Sequence, residues 1–147
     1  MAEKIILCIS GIIKTVSSEY EILGVGEMKN PENAMIITDK RVILLTVPMS
    51  GSGKVIGGFS FTEIQWLFLQ KEIRRKLDDL FSTKSLQDIL KTTPNFSINL
   101  SEIGKVKIRS FWGRGITIIT KSGRKYGYTI RNKEDITNLK KVFHNYP

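Results

Sequence analysis

The segment GKVKIRSFWGRGITIITKSGRKYGYTIRNK, residues 104–133, alternates apolar and polar side chains with period two over most of its length. That is the pattern of half-buried strands. It divides at Phe111-Trp112-Gly113-Arg114-Gly115 and again at Ser122-Gly123. The predicted strands run from Lys105 to Trp112, Ile116 to Lys121 and Arg124 to Arg131. Ser-Gly suits a two-residue hairpin, because glycine accepts positive φ. Asn132 is placed to cap a helix from Lys133 to about His144, with Ile136, Leu139, Val142 and Phe143 on one face. An antiparallel sheet followed by a terminal helix is expected.

The same segment holds Lys105, Lys107, Arg109, Arg114, Lys121, Arg124, Lys125, Arg131 and Lys133, and no Asp or Glu. These nine cations equal the net charge of +9, and the rest of the chain cancels with 14 basic and 14 acidic residues. Alternation sets Lys105, Lys107 and Arg109 opposite Val106 and Ile108. On the third strand, Lys125, Thr129 and Arg131 stand opposite Tyr126, Tyr128 and Ile130. If the core takes the tyrosines and aliphatics, the cations converge on one outer face. Lys105, Lys107, Arg109, Arg114, Lys125 and Arg131 are therefore the candidate ligand contacts. A merely solvated sheet face, with lysines guarding against aggregation, would alternate in the same way. Thirty residues without an acid weigh for binding. The partners that such charge selects are phospholipid headgroups, acidic proteins or nucleic acid.

Upstream, the helical period takes over. Thr62 with Gln65 forms a capping box, and Trp66, Leu69, Ile73, Leu77, Leu80 and Phe81 share one helical face. Glu72–Lys76, Arg74–Asp78 and Arg75–Asp79 are spaced to pair on the solvated side. Ile64, Leu67 and Phe68 lie off the apolar stripe, so the first turns are buried all round or contact a partner, a second copy of the chain included. Ser85 with Asp88 opens a shorter helix through Leu86, Ile89 and Leu90, and Pro94 follows it. Asn95 to Leu100 returns to alternation.

Before this helical insertion at about 62–92, strands are expected at Tyr20–Met28, Ala34–Thr38, Arg41–Val47 and Val55–Phe61. Asp39-Lys40 joins the middle two as a hairpin. In residues 3–18, Ile5, Ile9, Ile12, Ile13 and Val16 follow helical spacing, while β-branched composition and Gly11 favour a strand. A helix is the expectation there.

Three features resemble the pleckstrin-homology-like barrel, with its bacterial PH and GRAM relatives. The hairpin Ile36-Ile37-Thr38-Asp39-Lys40-Arg41-Val42-Ile43-Leu44 is similar to their "L-T-D-x-R-hydrophobic" stretch. Ile98-Asn99-Leu100-Ser101-Glu102-Ile103-Gly104-Lys105-Val106 is similar to their "I-x-L-x-x-I-x-x-V" stretch. The strand–Ser-Gly–strand–helix ending completes the likeness. The resemblance implies an α+β fold, a barrel of four plus three antiparallel strands with a C-terminal helix, used as a binding module. Its phosphoinositide site does not carry over, because Met28 to Ala34 offers only Lys29.

A chain of 147 residues fits one domain, 1–147. The single cysteine, Cys8, excludes an internal disulfide and reads as a small buried hydrophobe. The apolar run Ile5–Ile13 is too short to cross a bilayer and is assigned to the folded domain. A cytoplasmic location, with peripheral membrane attachment as an option, is expected. Catalytic signals are missing. His144 is the only histidine, and Asp78 and Asp79 diverge by about 100° on a helix. Ser50-Gly51-Ser52-Gly53-Lys54 has Pro48 and Val55 where a P-loop needs glycine and Ser/Thr. The expected function is non-enzymatic and without metal or cofactor: binding to an anionic membrane surface or acidic protein. Nucleic-acid binding through the same face and a scaffold built on the helical insertion are the alternatives.

Overall fold

The computed structural model describes residues 3–17, 32–48, 63–111 and 114–144. Its strands are β1 (Ile5–Ser10), β2 (Ile13–Ser17), β3 (Ala34–Thr38), β4 (Arg41–Leu45), β5 (Asn95–Asn99), β6 (Ile103–Arg109), β7 (Gly115–Thr120) and β8 (Lys125–Thr129). Its helices are α1 (Glu63–Thr83), α2 (Leu86–Thr92) and α3 (Lys133–Val142). Among the described residues the strands form two antiparallel four-stranded sheets, ordered β1-β3-β4-β5 and β2-β8-β7-β6. The class is α+β, as expected. The barrel of four plus three strands is corrected to two sheets of four, without closure among the described residues.

The extra strands come from the N-terminal run, where a helix was expected. Isoleucines dominate it, and their branched Cβ is stiff in a helix and suits a pleated surface. Gly11 has φ 79°, a left-handed conformation that ends regular structure in either direction. The Gly11 and Ile12 amides both donate to the Asn33 carbonyl, at 2.8 and 3.1 Å, which fixes the bend. One run thus supplies an edge strand to each sheet, with Cys8 opposite Ile36 in the first and Ile13 opposite Thr129 in the second. The strands expected at Tyr20–Met28 and Val55–Phe61 lie outside the described residues.

β3 and β4 are apolar at almost every position because both faces of the first sheet are covered. Met35, Ile37, Val42, Leu44 and Ile98 point into the core between the sheets. Ala34, Ile36, Ile43 and Leu45 point the other way, under Ile73, Leu77 and Phe81 of α1 and Leu86 and Leu90 of α2. Ile73 and Leu77 are fully buried, each contributing roughly 1.5–3 kcal/mol by leaving water. The opposite side of α1 is solvated, with Glu72–Lys76 and Arg74–Asp78 ion pairs at 3.9 and 3.8 Å. Surface pairs of this kind contribute about 0.3–0.5 kcal/mol each. Ser85 caps α2 through the Asp88 amide, whereas the capping box at Thr62 lies outside the described residues.

The second sheet shows the predicted hairpins. The β7–β8 turn has three residues, Lys121-Ser122-Gly123, where two were expected: the Thr120 amide donates to the Arg124 carbonyl at 2.9 Å, and Gly123, with φ 93°, closes the turn. Gly115 marks a close approach of β7 to β8, since a Cβ there would sit 2.1 Å from the Tyr128 carbonyl oxygen. Asn132 caps α3 by accepting from the Glu134 amide at 2.9 Å. Ile136, Leu139 and Phe143 then join the core between the sheets, closing it beside β6.

Candidate functional site

The second sheet has an inner face of Val106, Ile116, Ile118, Tyr126 and Tyr128, all buried. Alternation turns Lys105, Lys107 and Arg109 of β6 and Lys125 of β8 outward, and all four are exposed. Register fixes the rows across the sheet. Lys105 lies opposite Ile119, which lies opposite Lys125. Lys107 faces Thr117, and Thr117 faces Gly127. Arg109 faces Gly115, and Gly115 faces Thr129. Cations two residues apart on β6 stand about 7 Å apart, and Lys105 and Lys125, two strands apart, about 10 Å. The centre of this face is formed by Gly115, Thr117 and Ile119 of β7 with Gly127 of β8. Arg109 leans across it, donating from Nη1 to Thr117 Oγ1 at 3.1 Å. No position of β2, β6, β7 or β8 holds an acid. Lys121 and Arg124, both exposed at the β7–β8 turn, extend the cationic surface past the six residues expected.

The other two expected contacts are placed differently. Arg114 is half-buried, and its Nη1 donates to the Arg131 carbonyl at 2.7 Å while Nε donates to the Ser110 carbonyl at 3.4 Å. The Ile130 amide donates back to the Arg114 carbonyl at 3.0 Å. Arg114 thus fastens the base of the β6–β7 loop to the end of β8. Arg131, also half-buried, lies at that corner just before α3. Beyond Arg109 the loop carries Phe111, a residue 83% exposed. Trp112 lies outside the described residues, as does the P-loop-like Ser50–Lys54.

Phe68 on α1, one of the expected partner contacts, is 69% exposed. The side chains of Ile64 and Leu67 lie outside the described ones. Among the described residues no group of three or more His, Cys, Asp and Glu is positioned to hold a metal. His144 is exposed, with Nδ1 3.1 Å from the Lys141 carbonyl.

Two polar arrangements were not legible in the sequence. Lys14 of β2 is buried, donating from Nζ to both oxygens of Glu32 at 2.7 and 2.9 Å, and its ammonium lies 5.5 Å from the centre of the Phe96 ring. The two residues are 18 apart in sequence and meet only because β2 folds over the core. A cleft of about 250 Å³ opens between β1, α1 and the start of α3, lined by Cys8, Ser10, Gln70, Lys71, Arg74, Asn132 and Asp135. Burial pushes the Cys8 thiol and the Asp135 carboxyl up from their ordinary values. A thiol shifted that way is a poor nucleophile, so the cleft is not prepared for cysteine chemistry.

No family model matches this chain, and no curated protein or solved structure matches it. Among the described residues no helix is long and apolar enough to cross a membrane.

Proposed function

We propose that the chain is a non-enzymatic binding module of the pleckstrin-homology-like kind, engaging an anionic membrane surface or an acidic protein through the outer face of its second sheet. A bent N-terminal run feeding both sheets, antiparallel neighbours throughout each, and a closing C-terminal helix support that frame. One observation carries the function. The outer face of the first sheet is covered by α1 and α2, whereas that of the second presents Lys105, Lys107, Arg109 and Lys125 without an acid on its strands. A lysine or arginine near an anionic bilayer adds about 1 kcal/mol, or roughly fivefold in partitioning. Four together are enough for salt-sensitive attachment.

Nucleic acid would be attracted by the same charge. Single-strand binding, however, stacks successive bases on a row of exposed aromatics, and with Tyr126 and Tyr128 buried on the inner face only Phe111 is exposed among the described rings of this sheet and its loops. Phe68 favours a second reading, in which a partner docks on α1. Flotation with neutral and anionic vesicles separates these readings. Binding to anionic vesicles alone is expected, and equal behaviour on both would remove the membrane version.

A further inference from the structure

We infer that Phe111 is an apolar anchor that enters the bilayer at headgroup depth while the neighbouring cationic face lies against anionic lipid. The inference rests on the reading of that face as a membrane-facing surface, and chooses lipid over acidic protein as its occupant. Phe111 has the highest exposure among the large hydrophobic residues described, 83%, and lies two residues past Arg109, the last cation of β6. The ring therefore extends beyond the end of the row formed by Lys105, Lys107 and Arg109. A partner surface of acidic side chains alone would leave such a ring in water, whereas an anionic bilayer supplies phosphate and acyl chain within a few ångströms of each other. Aromatic rings at that depth are held by their apolar bodies.

The described ends of the loop are also tied together. The Arg114 guanidinium donates to the Ser110 and Arg131 carbonyls, tying the loop base to the end of β8. Gly115, directly after it, allows the close approach to the Tyr128 carbonyl that brings β7 against β8 there. A ring next to a fastened base loses less freedom on insertion than one on a slack segment, so more of its transfer free energy appears as affinity. Charge and ring then play separable parts. The cations supply the salt-sensitive attraction, which is cut off beyond about 3 Å at about 1 M salt. The ring supplies a part that salt leaves intact.

The test uses the full chain and vesicles of phosphatidylcholine, with and without phosphatidylserine, in low and high salt. Wild type, Phe111→Ala and the double variant K105E/K107E are compared, after thermal melts confirm that all three fold. Phe111→Ala should bind phosphatidylserine vesicles about tenfold more weakly than wild type, from the apolar area lost. That factor should stay about the same as salt rises, whereas the factor lost in K105E/K107E should shrink. If Phe111→Ala binds like wild type while K105E/K107E binds weakly, the anchor is overturned and the cationic face stands. If K105E/K107E also binds like wild type, both readings fall. Binding of wild type to duplex DNA or polyglutamate but to neither vesicle would replace the lipid with an acidic polymer and overturn the inference.

Discussion

Glu3 and Arg41 show how single residues fasten the open edge of the first sheet. The Glu3 carboxylate accepts from Arg41 Nε and Nη2 at 2.9 and 3.0 Å and from the Thr38 hydroxyl. The Arg41 bonds hold its pKa below the usual carboxylate range, with help from Thr38 and against the opposing effect of burial. A carboxyl whose folded pKa is depressed stabilises the fold above its unfolded value, near about 4.3, and loses that contribution as pH falls through the folded value. Glu3→Gln should therefore lower the urea midpoint at neutral pH and approach wild type in acid. A constant difference across the range would exclude the ion pair as the cause. Asp135 has the opposite sign, because burial raises it, so its ionisation weakens the fold as pH rises through the ordinary aspartate range. Alternation alone placed Lys105, Lys107, Arg109 and Lys125 on the outside and Tyr126 and Tyr128 within. It could not place Lys14. Its run was expected to be a helix; as a strand residue opposite Tyr128 that lysine faces inward, where the tertiary ion pair with Glu32 offsets the cost of burying its ammonium.

At the scale of elements, the hairpins and helices were legible where local chemistry decides them. Ser85 and Asn132 cap as expected, Gly123 takes the expected positive φ although in a turn of three residues rather than two, and the stripe through Ile73 and Leu77 is buried as expected. Residues 3–17 failed because isoleucines at 5, 9, 12 and 13 satisfy a helical period by accident. The strand pairing that overrides it, Cys8 with Ile36 and Ile9 with Met35, is long-range. The task of α1 was equally invisible, since an amphipathic period names a buried face without naming what lies beneath. Ile36 and Ile43 lie beneath it, so Leu77→Ala should open a cavity over the first sheet and cost about 2–5 kcal/mol in denaturant unfolding. A change under about 0.5 kcal/mol, the scale of an ordinary surface substitution, would mean that α1 does not cover the sheet.

For the whole molecule, the decisive feature is the difference between the two sheets. One is sealed on both faces by apolar packing, and the other turns a cationic face outward. The sequence showed the excess charge and its confinement to one stretch, but the covering of the first sheet, which leaves the second as the sheet with an exposed cationic face among the described residues, appears only in the fold. Net charge by itself would attract any acidic surface, so location has to be separated from amount. K105E/K107E changes the charge by the same four units as K71E/K91E, which alters exposed lysines of α1 and α2 on the other side. The most direct measurement compares these two variants with wild type in binding phosphatidylserine vesicles at low salt. If the outer face of the second sheet is the binding surface, K105E/K107E falls by well over tenfold while K71E/K91E stays within a few-fold of wild type. Equal losses in both would contradict it, leaving net charge with no dedicated face.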